Sequence, residues 1–294
     1  MKINNKLILG TANFLHPYGI FESKISKNKI KDALNYSKKK KIKYLEISKD
    51  YKNSKYLFTK FSKYFKIYNK IDLTPAFLKS TTENDLIRYL KIDKNNNNIS
   101  YAVTLRKPNI LFKKGGKKFF KILNKFRLEG KIKKIGLSIY DTKNLKKIIK
   151  NFKIDYIQLP LNIVNKKVFI SSKRIIKKRK IEIHARSIFL QGLLLKNKNN
   201  LPKNIIKLKD DWSFIDESLN KIKISRFSAC INYVLNFKID KILIGINDNK
   251  QLDEILKFKR ISKKIPFFSI KKKNLIDPIY WLKLKKNENF KSKY

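Results

Sequence analysis

Apolar residues along this chain follow two patterns that alternate with each other. Short runs rich in Ile, Leu, Tyr and Val recur, and between them lie longer segments in which apolar residues repeat every three or four positions. The runs are typical of buried strands, and the longer repeats are typical of amphipathic helices. Eight strands are predicted in this way: Leu7 to Ala12, Lys43 to Ser48, Lys66 to Ile71, Ile99 to Leu105, Lys134 to Tyr140, Tyr156 to Leu161, Ile181 to Ser187 and Lys241 to Ile246.

Helix-capping signals support the segments between the predicted strands. After the fifth strand, Asp141 is placed to cap a helix whose apolar face runs from Leu145 to Phe152. Gly130 follows the apolar repeat that precedes this strand and is expected to end that helix. Ser80 and Glu83 have the S-x-x-E spacing of a capping box ahead of a further apolar repeat.

The alternation of strands and helices determines the predicted fold class. No two predicted strands are separated by a loop of hairpin length, which favours parallel strands joined by crossover helices. Eight such units close a (β/α)8 barrel, or TIM barrel, in the α/β class. The alternative is an open doubly wound sheet, which would need a glycine-rich turn where this chain has GTANF. We predict one barrel domain over residues 1–294, with a loop at Lys94 to Asn98 and a charged tail from about residue 281.

The net charge of the chain is strongly positive: 72 Lys and Arg oppose 22 Asp and Glu, which gives a formal charge of +50. Clustered cations would predict nucleic-acid binding, because they bind the phosphate backbone. Here lysines occur from Lys2 to Lys293, mostly on the polar sides of the periodic segments, which is typical of a solvated surface. Lys, Asn, Ile, Phe and Tyr, which have A/T-rich codons, are abundant. We therefore attribute the charge to genome composition and keep attraction to polyanions as the alternative.

Cysteine content and hydropathy bear on location and on metal binding. The single cysteine, Cys230, excludes an intramolecular disulfide, which fits a reducing compartment. Two histidines and this cysteine cannot build a metal site alone, so no metal is predicted. The apolar run at the N-terminus is too short for a signal peptide, and no stretch approaches the roughly 20 apolar residues that span a bilayer. A cytoplasmic protein without membrane contact is expected, and its oligomeric state is left open.

Ligands of such a barrel bind at the C-terminal ends of the strands, so the residues at these ends are the candidates for chemistry. From strand two to strand eight they are Glu46, Ser48, Tyr51, Lys70, Arg106, Ser138, Gln158, Asn162, Arg186, Ser187, Gly245 and Asn247. Alternation along strand seven puts Glu182 and His184 on the same face as Arg186, where polar side chains need partners. His184 is therefore expected to be a hydrogen-bonded interior residue, Cys230 a core residue and His16 a loop residue.

Seven short motifs resemble those of the aldo/keto reductase family. In chain order they are LGTANF, EISKDYKNSK, LRKP, GLSIY, IQLPLN, ARSIFLQGLLL and LIGINDNKQLDEIL, and they extend roughly from Lys6 to Phe258. Each motif is short, but all seven occur in the family's order at predicted strand ends. The resemblance implies a (β/α)8 barrel that binds NADPH, less often NADH, without a Rossmann motif. It also implies reduction of carbonyl groups by a tetrad of Asp, Tyr, Lys and His.

The catalytic tetrad implied by the resemblance is altered at two of its four positions. Tyr51 matches the family's proton donor and Lys70 its lysine, while Glu46 stands in place of Asp and Arg106 in place of His. A tyrosine has a pKa of about 10, and a neighbouring ammonium would lower it toward the range useful for protonating an alkoxide. Glu46 can hold that ammonium. Arg106 can hydrogen-bond a carbonyl oxygen, bind a carboxylate or phosphate of the substrate, or pair with Glu46.

The cofactor positions implied by the resemblance are better preserved. Ser138 and Gln158 would contact the nicotinamide carboxamide, and Arg186 would stack on the nicotinamide ring. The helix after strand eight offers an N-terminus that suits an anion, with Lys250 beside it, which favours NADPH over NADH. The complete set of predicted cofactor contacts is Gly10, Thr11, Ser138, Gln158, Arg186, Ser187, Leu190, Gln191, Gly192, Gly245, Asn247, Lys250, Gln251 and Glu254.

Three hypotheses about function follow. The first is an NAD(P)H-dependent reductase of an aldehyde or ketone with Tyr51 as proton donor, and a sugar-type or anionic substrate would suit Arg106. The second is an NADPH-binding barrel with little turnover that acts as a sensor or partner subunit, favoured by the changes at Glu46 and Arg106. The third is nucleic-acid binding through charge alone, which no recognition motif or localised basic stripe supports. Taken alone, Tyr51 is one of 14 tyrosines, so its proposed role depends on the barrel.

Overall fold

A computed structural model describes residues 3–15, 17–21, 24–48, 51, 54–90, 100–278 and 280–281 of the chain. Three predicted features lie outside the described residues: the loop at Lys94 to Asn98, His16, and the charged tail beyond residue 281. The element boundaries given below refer to the described part of the chain.

Eight parallel strands close a barrel in which each strand pairs with its neighbours in chain order and the last pairs with the first. They are β1 (Leu7–Gly10), β2 (Tyr44–Ser48), β3 (Lys66–Ile71), β4 (Ser100–Leu105), β5 (Lys134–Ser138), β6 (Tyr156–Pro160), β7 (Glu182–Arg186) and β8 (Lys241–Gly245). The predicted (β/α)8 barrel is confirmed, and every strand begins and ends within two residues of its predicted bounds. Strands buried on both faces explain the nearly continuous apolar runs of the sequence.

At least one helix follows each strand along the chain. The α-helices are α1 (Lys27–Lys39), α2 (Ser54–Phe61), α3 (Pro75–Ser80), α4 (Glu83–Leu90), α5 (Gly116–Leu128), α6 (Leu145–Asn151), α7 (Lys167–Lys178), α8 (Lys209–Lys221), α9 (Arg226–Leu235) and α10 (Asn249–Lys257). Short 3-10 helices cover Ile3–Asn5, Pro108–Phe112, Leu190–Leu195, Lys198–Asn200, Lys203–Leu208 and Lys273–Ile276. Within the described residues, none of the helices has the length and apolar character needed to cross a membrane.

Helix ends match the predicted signals at one position and differ at two. Gly130 has a φ of 74° just after α5, as expected for a glycine that ends a helix. Ser80 does not cap α4, because it is the last residue of α3; the capping box is formed instead by Thr82, whose Oγ1 accepts from the Asp85 amide at 3.2 Å. Asp141 does not cap α6, because its carboxylate accepts from the amide two residues later in a turn. The predicted caps at Ser80 and Asp141 are therefore wrong.

Aromatic side chains fill the middle of the barrel interior. Tyr68 and Tyr156 are buried with ring centroids 5.4 Å apart, and His184 stacks on Tyr156 at 4.4 Å. Gly136 leaves room for this cluster, since a Cβ on that residue would lie 2.2 Å from the Tyr156 ring. The Tyr156 hydroxyl shares a hydrogen bond of 2.5 Å with that of Thr104. The interior is therefore a packed core, as is usual for this kind of barrel.

Candidate active site

A cavity of about 280 Å³ opens at the C-terminal ends of the strands. Its walls come from strand ends, from the residues that follow β1, β2, β4, β5 and β7, and from helices α9 and α10. All four predicted catalytic residues and most of the predicted cofactor contacts line it: Gly10, Glu46, Tyr51, Lys70, Arg106, Ser138, Arg186, Ser187, Gln191, Gly192, Gly245, Asn247, Gln251 and Glu254. Most of the candidate residues, which were chosen because they stand at the C-terminal ends of strands, therefore line one cavity.

A buried ion pair lies on the inner side of this cavity. Lys70 Nζ donates to Glu46 Oε1 at 3.1 Å, and both side chains are almost completely buried. The other carboxylate oxygen, Oε2, accepts from Gln158 Nε2 at 2.6 Å. The backbone carbonyl of Glu46 accepts from Thr11 Oγ1 at 2.9 Å. The glutamate thus connects side chains from β3 and β6, and each of its carboxylate oxygens has a donor.

The charge on Lys70 depends on this carboxylate. Burial is the largest effect and lowers the pKa of the Lys70 ammonium, while Glu46 raises the pKa and the cation of Arg186 lowers it further. The contact with Glu46 favours the charged form of Lys70 and opposes the effects of burial and of Arg186. Glu46 thus contacts the lysine, and its part in catalysis remains a prediction.

Tyr51 lies just after β2, is partly buried and lines the same cavity. Burial raises the pKa of its phenol well above the usual value, and the negative charge of Glu46 adds to this effect, whereas Arg106 lowers the pKa. The expectation that a neighbouring ammonium lowers this pKa is not met, because burial outweighs the cations. Within the described residues, the Tyr51 hydroxyl forms no hydrogen bond, and the Lys70 ammonium is directed to Glu46.

Arg186, the last residue of β7, is 8% exposed and lines the cavity. Its Nη2 donates to the Ile139 carbonyl at 3.1 Å, and its Nη1 donates to the Ser187 hydroxyl at 3.3 Å. The guanidinium lies 4.0 Å from the ring centre of Tyr140, which fixes its plane. Its Nε is buried without a hydrogen-bond partner, and among the described residues no carboxylate forms an ion pair with it.

Four predicted cofactor contacts do not line the cavity. Gln158 is buried behind it, bound to Glu46, and Thr11 ties β1 to β2 through the bond described above. Leu190 is buried in the core, and Lys250 is exposed on α10. Their proposed contacts with a cofactor remain predictions.

The wall that follows β7 has an unusual backbone. Ser187, Leu190 and Gln191 have φ values of 57°, 48° and 55°, and Gly192 has a φ of 90°. This left-handed region costs a residue with a side chain about 1–2 kcal/mol, so three such residues within five positions store strain. Strain of this kind is concentrated at ligand sites, where the surrounding structure maintains it.

The N-terminus of α10 already holds a carboxylate from its own chain. Asp248 caps the helix, with Oδ1 accepting from the Gln251 amide at 2.8 Å. The Asn247 amide donates to Gln251 Oε1 at 2.8 Å, and the Asn247 side chain accepts from Asn13 Nδ2 at 2.7 Å. Two amides that an added phosphate would use are therefore occupied, so this helix end is less favourable for an anion than the sequence indicated.

The polar groups around Gln158 fit a carboxamide ligand. Gln158 Oε1 is buried without a hydrogen-bond partner among the described residues, while its Nε2 is held by Glu46. Ser138, which pairs with Gln158 across β5 and β6, lines the cavity with a hydroxyl that can donate or accept. A nicotinamide carboxamide carries both an NH₂ donor and a carbonyl acceptor, so its chemistry complements this pair. Ser138 can contact that group at the cavity wall, whereas the predicted contact of Gln158 requires its buried amide to become accessible.

Several residues of the cavity wall were not among the predicted contacts. Tyr18 and Asn13 come from the segment after β1, Tyr140 follows β5, and Phe189 stacks on Phe227 of α9 with ring centroids 5.6 Å apart. Tyr140 has a sequence signal, since it stands two positions after Ser138 and thus continues the inward face of β5. Phe227 has none, because α9 reaches the cavity only through tertiary packing.

One comparison with known proteins identifies a family for this chain. The family model described as the aldo/keto reductase family matches residues 78–264 of this chain. No curated protein matches the chain by sequence. An aldo-keto reductase from Bacillus halodurans in its holo form has a similar structure, with 14% identity, a TM-score of 0.67 and coverage of 95% of this chain and 91% of that one.

Two further solved structures resemble this chain to a similar degree. A glycerol dehydrogenase from Gluconobacter oxydans is 15% identical, with a TM-score of 0.62 and coverage of 87% of both chains. A putative aldo-keto reductase from Pseudomonas aeruginosa is 14% identical, with a TM-score of 0.58 and coverage of 85% of this chain and 88% of that one. Such identities show similarity of fold alone, so the residues of this chain must supply the argument about chemistry.

Proposed function

This chain belongs to the aldo/keto reductase family of oxidoreductases, which use nicotinamide cofactors, and we propose that it reduces an aldehyde or ketone with NADPH or NADH. The substrate would be a small molecule of a sugar-type or anionic kind. The whole chain would act as one barrel domain in the cytoplasm, a reducing compartment that its single cysteine fits.

The observation that carries this proposal is the placement of the altered tetrad. Tyr51, the ion pair of Lys70 with Glu46, and Arg106 line one cavity, next to the Ser138 hydroxyl. Behind this hydroxyl, the Oε1 of Gln158 has no hydrogen-bond partner among the described residues and could accept a hydrogen bond from a carboxamide. Groups that could hold a nicotinamide and groups that could act on a carbonyl are therefore adjacent.

Each of these residues can be given a part in reduction. A bound nicotinamide dinucleotide supplies the hydride. Tyr51 retains its proton in the resting site because burial raises its pKa, so the phenol is in the form that a general acid requires. As the proton moves to the carbonyl oxygen, the cations of Lys70 and Arg106 stabilise the phenolate that remains, and Arg106 can also donate a hydrogen bond to that oxygen.

The competing proposal is a cofactor-binding barrel with little turnover that acts as a sensor or partner subunit. It is favoured by the absence, within the described residues, of a hydrogen bond between Tyr51 and Lys70. An arginine in place of histidine also changes the shape and charge of the group that would orient the carbonyl. Losing one well-placed donor of this kind costs roughly 10²–10³ in rate, which would leave a slow enzyme.

Both proposals require dinucleotide binding. Titration of the purified protein with NADPH and with NADH, followed by dinucleotide fluorescence, tests this requirement. Oxidation of NADPH with a panel of aldehydes and ketones, for wild type and Tyr51→Phe, then separates them. We expect Tyr51→Phe to lower kcat/KM by about 10²–10⁴ and to leave the dinucleotide Kd unchanged, because it removes only the acid. Tyr64→Phe, at an exposed tyrosine, is the matched control and should change neither quantity.

Three outcomes would count against parts of this scheme. Equal rates for wild type and Tyr51→Phe would exclude Tyr51 as the acid. Dinucleotide binding without oxidation by any carbonyl compound would favour the sensor or partner subunit. Absence of dinucleotide binding at millimolar concentration would reject both proposals.

A further inference from the structure

Three basic side chains lie at the inner end of the cavity. Lys70, Arg106 and Arg186 line it, and the carboxylate beside them, Glu46, is already in an ion pair with Lys70. The other acidic residue among the lining residues, Glu254, is exposed on α10, and within the described residues it pairs with neither Lys70 nor Arg186. The charge of Arg186 therefore has no carboxylate partner in the described part of the chain.

An unpaired guanidinium is costly to bury. Lysine can shed its proton when desolvated, but arginine cannot, so Arg186 remains a cation in the folded protein. Two of its five N–H donors meet neutral oxygens, on Ile139 and Ser187, and its Nε is buried without a partner among the described residues. Buried charges are ordinarily paired, and this one borders an open cavity. Such an arrangement indicates an anionic ligand.

We infer that Arg186 binds a carboxylate or phosphate group of the substrate. The inference rests on the proposed function and narrows its substrate class to small oxo acids and phosphorylated aldehydes or ketones. The free donors of a guanidinium form a planar fork that matches two oxygens of such a group, and Tyr140 holds that plane in place. Because Lys70 lines the same cavity, the anion and the reacting carbonyl can belong to one small molecule.

Two matched pairs of probes test whether an anionic group is recognised: pyruvate against methyl pyruvate, and glyceraldehyde 3-phosphate against glyceraldehyde. Members of each pair share a carbonyl group and differ in the anion. Calorimetric titration of the full chain at about 0.3 M salt, which screens the exposed lysines, should give tighter binding of the anionic member of at least one pair. We expect a preference of about 10- to 100-fold, the usual worth of a hydrogen bond to a charged group.

Variants at position 186 assign that preference to the arginine. Arg186→Gln should bring the preference close to one, and Arg186→Lys, which keeps the charge but loses the fork, should retain part of it. Arg174→Gln is the matched control, because it removes the same charge from an exposed position on α7 and should leave the preference unchanged. Urea unfolding of each variant checks that it is folded; removal of an unpaired buried charge is not expected to destabilise the barrel.

The pyrophosphate of the dinucleotide is another source of negative charge, and the same variants distinguish it. Because Arg186 is also a predicted contact of the nicotinamide ring, Arg186→Gln is expected to weaken the binding of NADPH and of NADH to the same extent, and the inference requires in addition that the preference for the anionic probe is lost. If Arg186→Gln loses dinucleotide affinity but keeps the substrate preference, Arg186 binds the pyrophosphate and the inference is wrong. Equal binding of the two members of both probe pairs by the wild type would also overturn the inference. Calorimetry measures binding without turnover, so the two proposals can fail separately. Binding of the anionic probes by a protein that oxidises no NADPH would reject the reductase proposal alone. Reduction of neutral carbonyl compounds without a preference for anionic ones would reject only this inference.

Discussion

Glu46 differs from the aspartate of the family's tetrad by one methylene, and its carboxylate contacts both Lys70 and Gln158. The contact with Lys70 could be predicted, because β2 and β3 are neighbours and both residues stand near the ends of their strands. The contact with Gln158 could not, because β2 and β6 do not pair and the distance between them depends on how the barrel closes. The sequence therefore identified the charged pair but not the amide that completes it.

A double-mutant cycle measures how strongly this buried pair is coupled. Glu46→Gln leaves a buried ammonium without its anion, and Lys70→Met leaves a buried carboxylate without its cation, so each should lower the free energy of unfolding by about 3–5 kcal/mol. The double variant should cost less than the sum of the two, by about 2–3 kcal/mol. Urea unfolding at pH 7 gives these values.

An exposed ion pair provides the comparison for this cycle. Lys125 Nζ and Glu83 Oε2 are 2.7 Å apart, with the side chains 53% and 34% exposed, so Lys125→Met and Glu83→Gln should show far weaker coupling than the buried pair. Equal coupling in the two cycles would mean that burial contributes nothing at Glu46 and Lys70.

His184 is the buried interior residue that its strand position predicted. Burial lowers the pKa of the imidazole, although Glu182 opposes this by accepting from Nε2 at 3.2 Å. Nδ1 is buried without a partner among the described residues, so the neutral ring with its proton on Nε2 fits the site. The same hydrogen bond, together with Lys134, lowers the pKa of Glu182 to about 2. The imidazole therefore remains neutral while the carboxylate beside it is charged.

The stability of the fold should consequently fall as the pH drops below about 6.5, the usual pKa of histidine in an unfolded chain. Below that pH, His184 binds a proton in the unfolded chain more readily than in the folded protein. It therefore contributes up to about 1.4 kcal/mol per pH unit to the slope of the free energy of unfolding against pH. Urea unfolding of wild type and His184→Gln between pH 7 and pH 5 measures it, and the variant should lack that part of the slope. If His16→Gln flattens the profile equally, burial of His184 is not the cause.

At the scale of elements, strands were predicted more reliably than helix ends. A strand buried on both faces produces a continuous apolar run, and its bounds follow from that run alone. A capping box is less specific: Ser80 with Glu83 and Thr82 with Asp85 have the same spacing. The structure selects the second pair because α3, which begins at Pro75, continues through Ser80. The choice depends on a neighbouring helix and not on the spacing itself.

The N-terminus of α10 offers a test of where the 2′-phosphate of NADPH would lie. Serine can cap a helix as aspartate does, so Asp248→Ser should preserve stability while removing a negative charge from the helix end. If the phosphate binds there, the ratio of NADPH to NADH affinity should rise by roughly three- to tenfold, as expected for removing one exposed like charge. Fluorescence titration with both dinucleotides measures this ratio.

A second aspartate controls for the change in net charge. Asp210→Ser removes the same charge from an exposed position in the first turn of α8, and the ratio should then stay constant. An equal rise in both variants would reflect general electrostatics, and no rise in Asp248→Ser would place the 2′-phosphate away from α10.

For the whole molecule, the sequence predicted the closed barrel and the edge at which the cavity lies. Eight strand-helix units identify the barrel, and strand ends then identify the inner part of the cavity wall. The outer part could not be predicted in the same way, because Tyr18 lies beyond β1 and Phe227 belongs to a helix that reaches the site only in the folded protein. Periodicity predicts whether each segment is a helix or a strand, but it does not predict how loops and neighbouring helices cover the barrel.

The charge of +50 also acts at this scale, through repulsion among cations distributed over the whole surface. Two like charges 10 Å apart repel by about 0.4 kcal/mol in water, and raising ionic strength from about 0.01 M to 1 M shortens the screening length from about 30 Å to 3 Å. The free energy of unfolding in urea, a neutral denaturant, should therefore increase as sodium chloride is added. Sodium sulfate at equal ionic strength should stabilise about as much as the chloride if screening is the cause. A much larger effect of sulfate at low concentration would instead reveal specific binding of anions, and a decrease in stability with chloride would contradict an evenly distributed excess of charge.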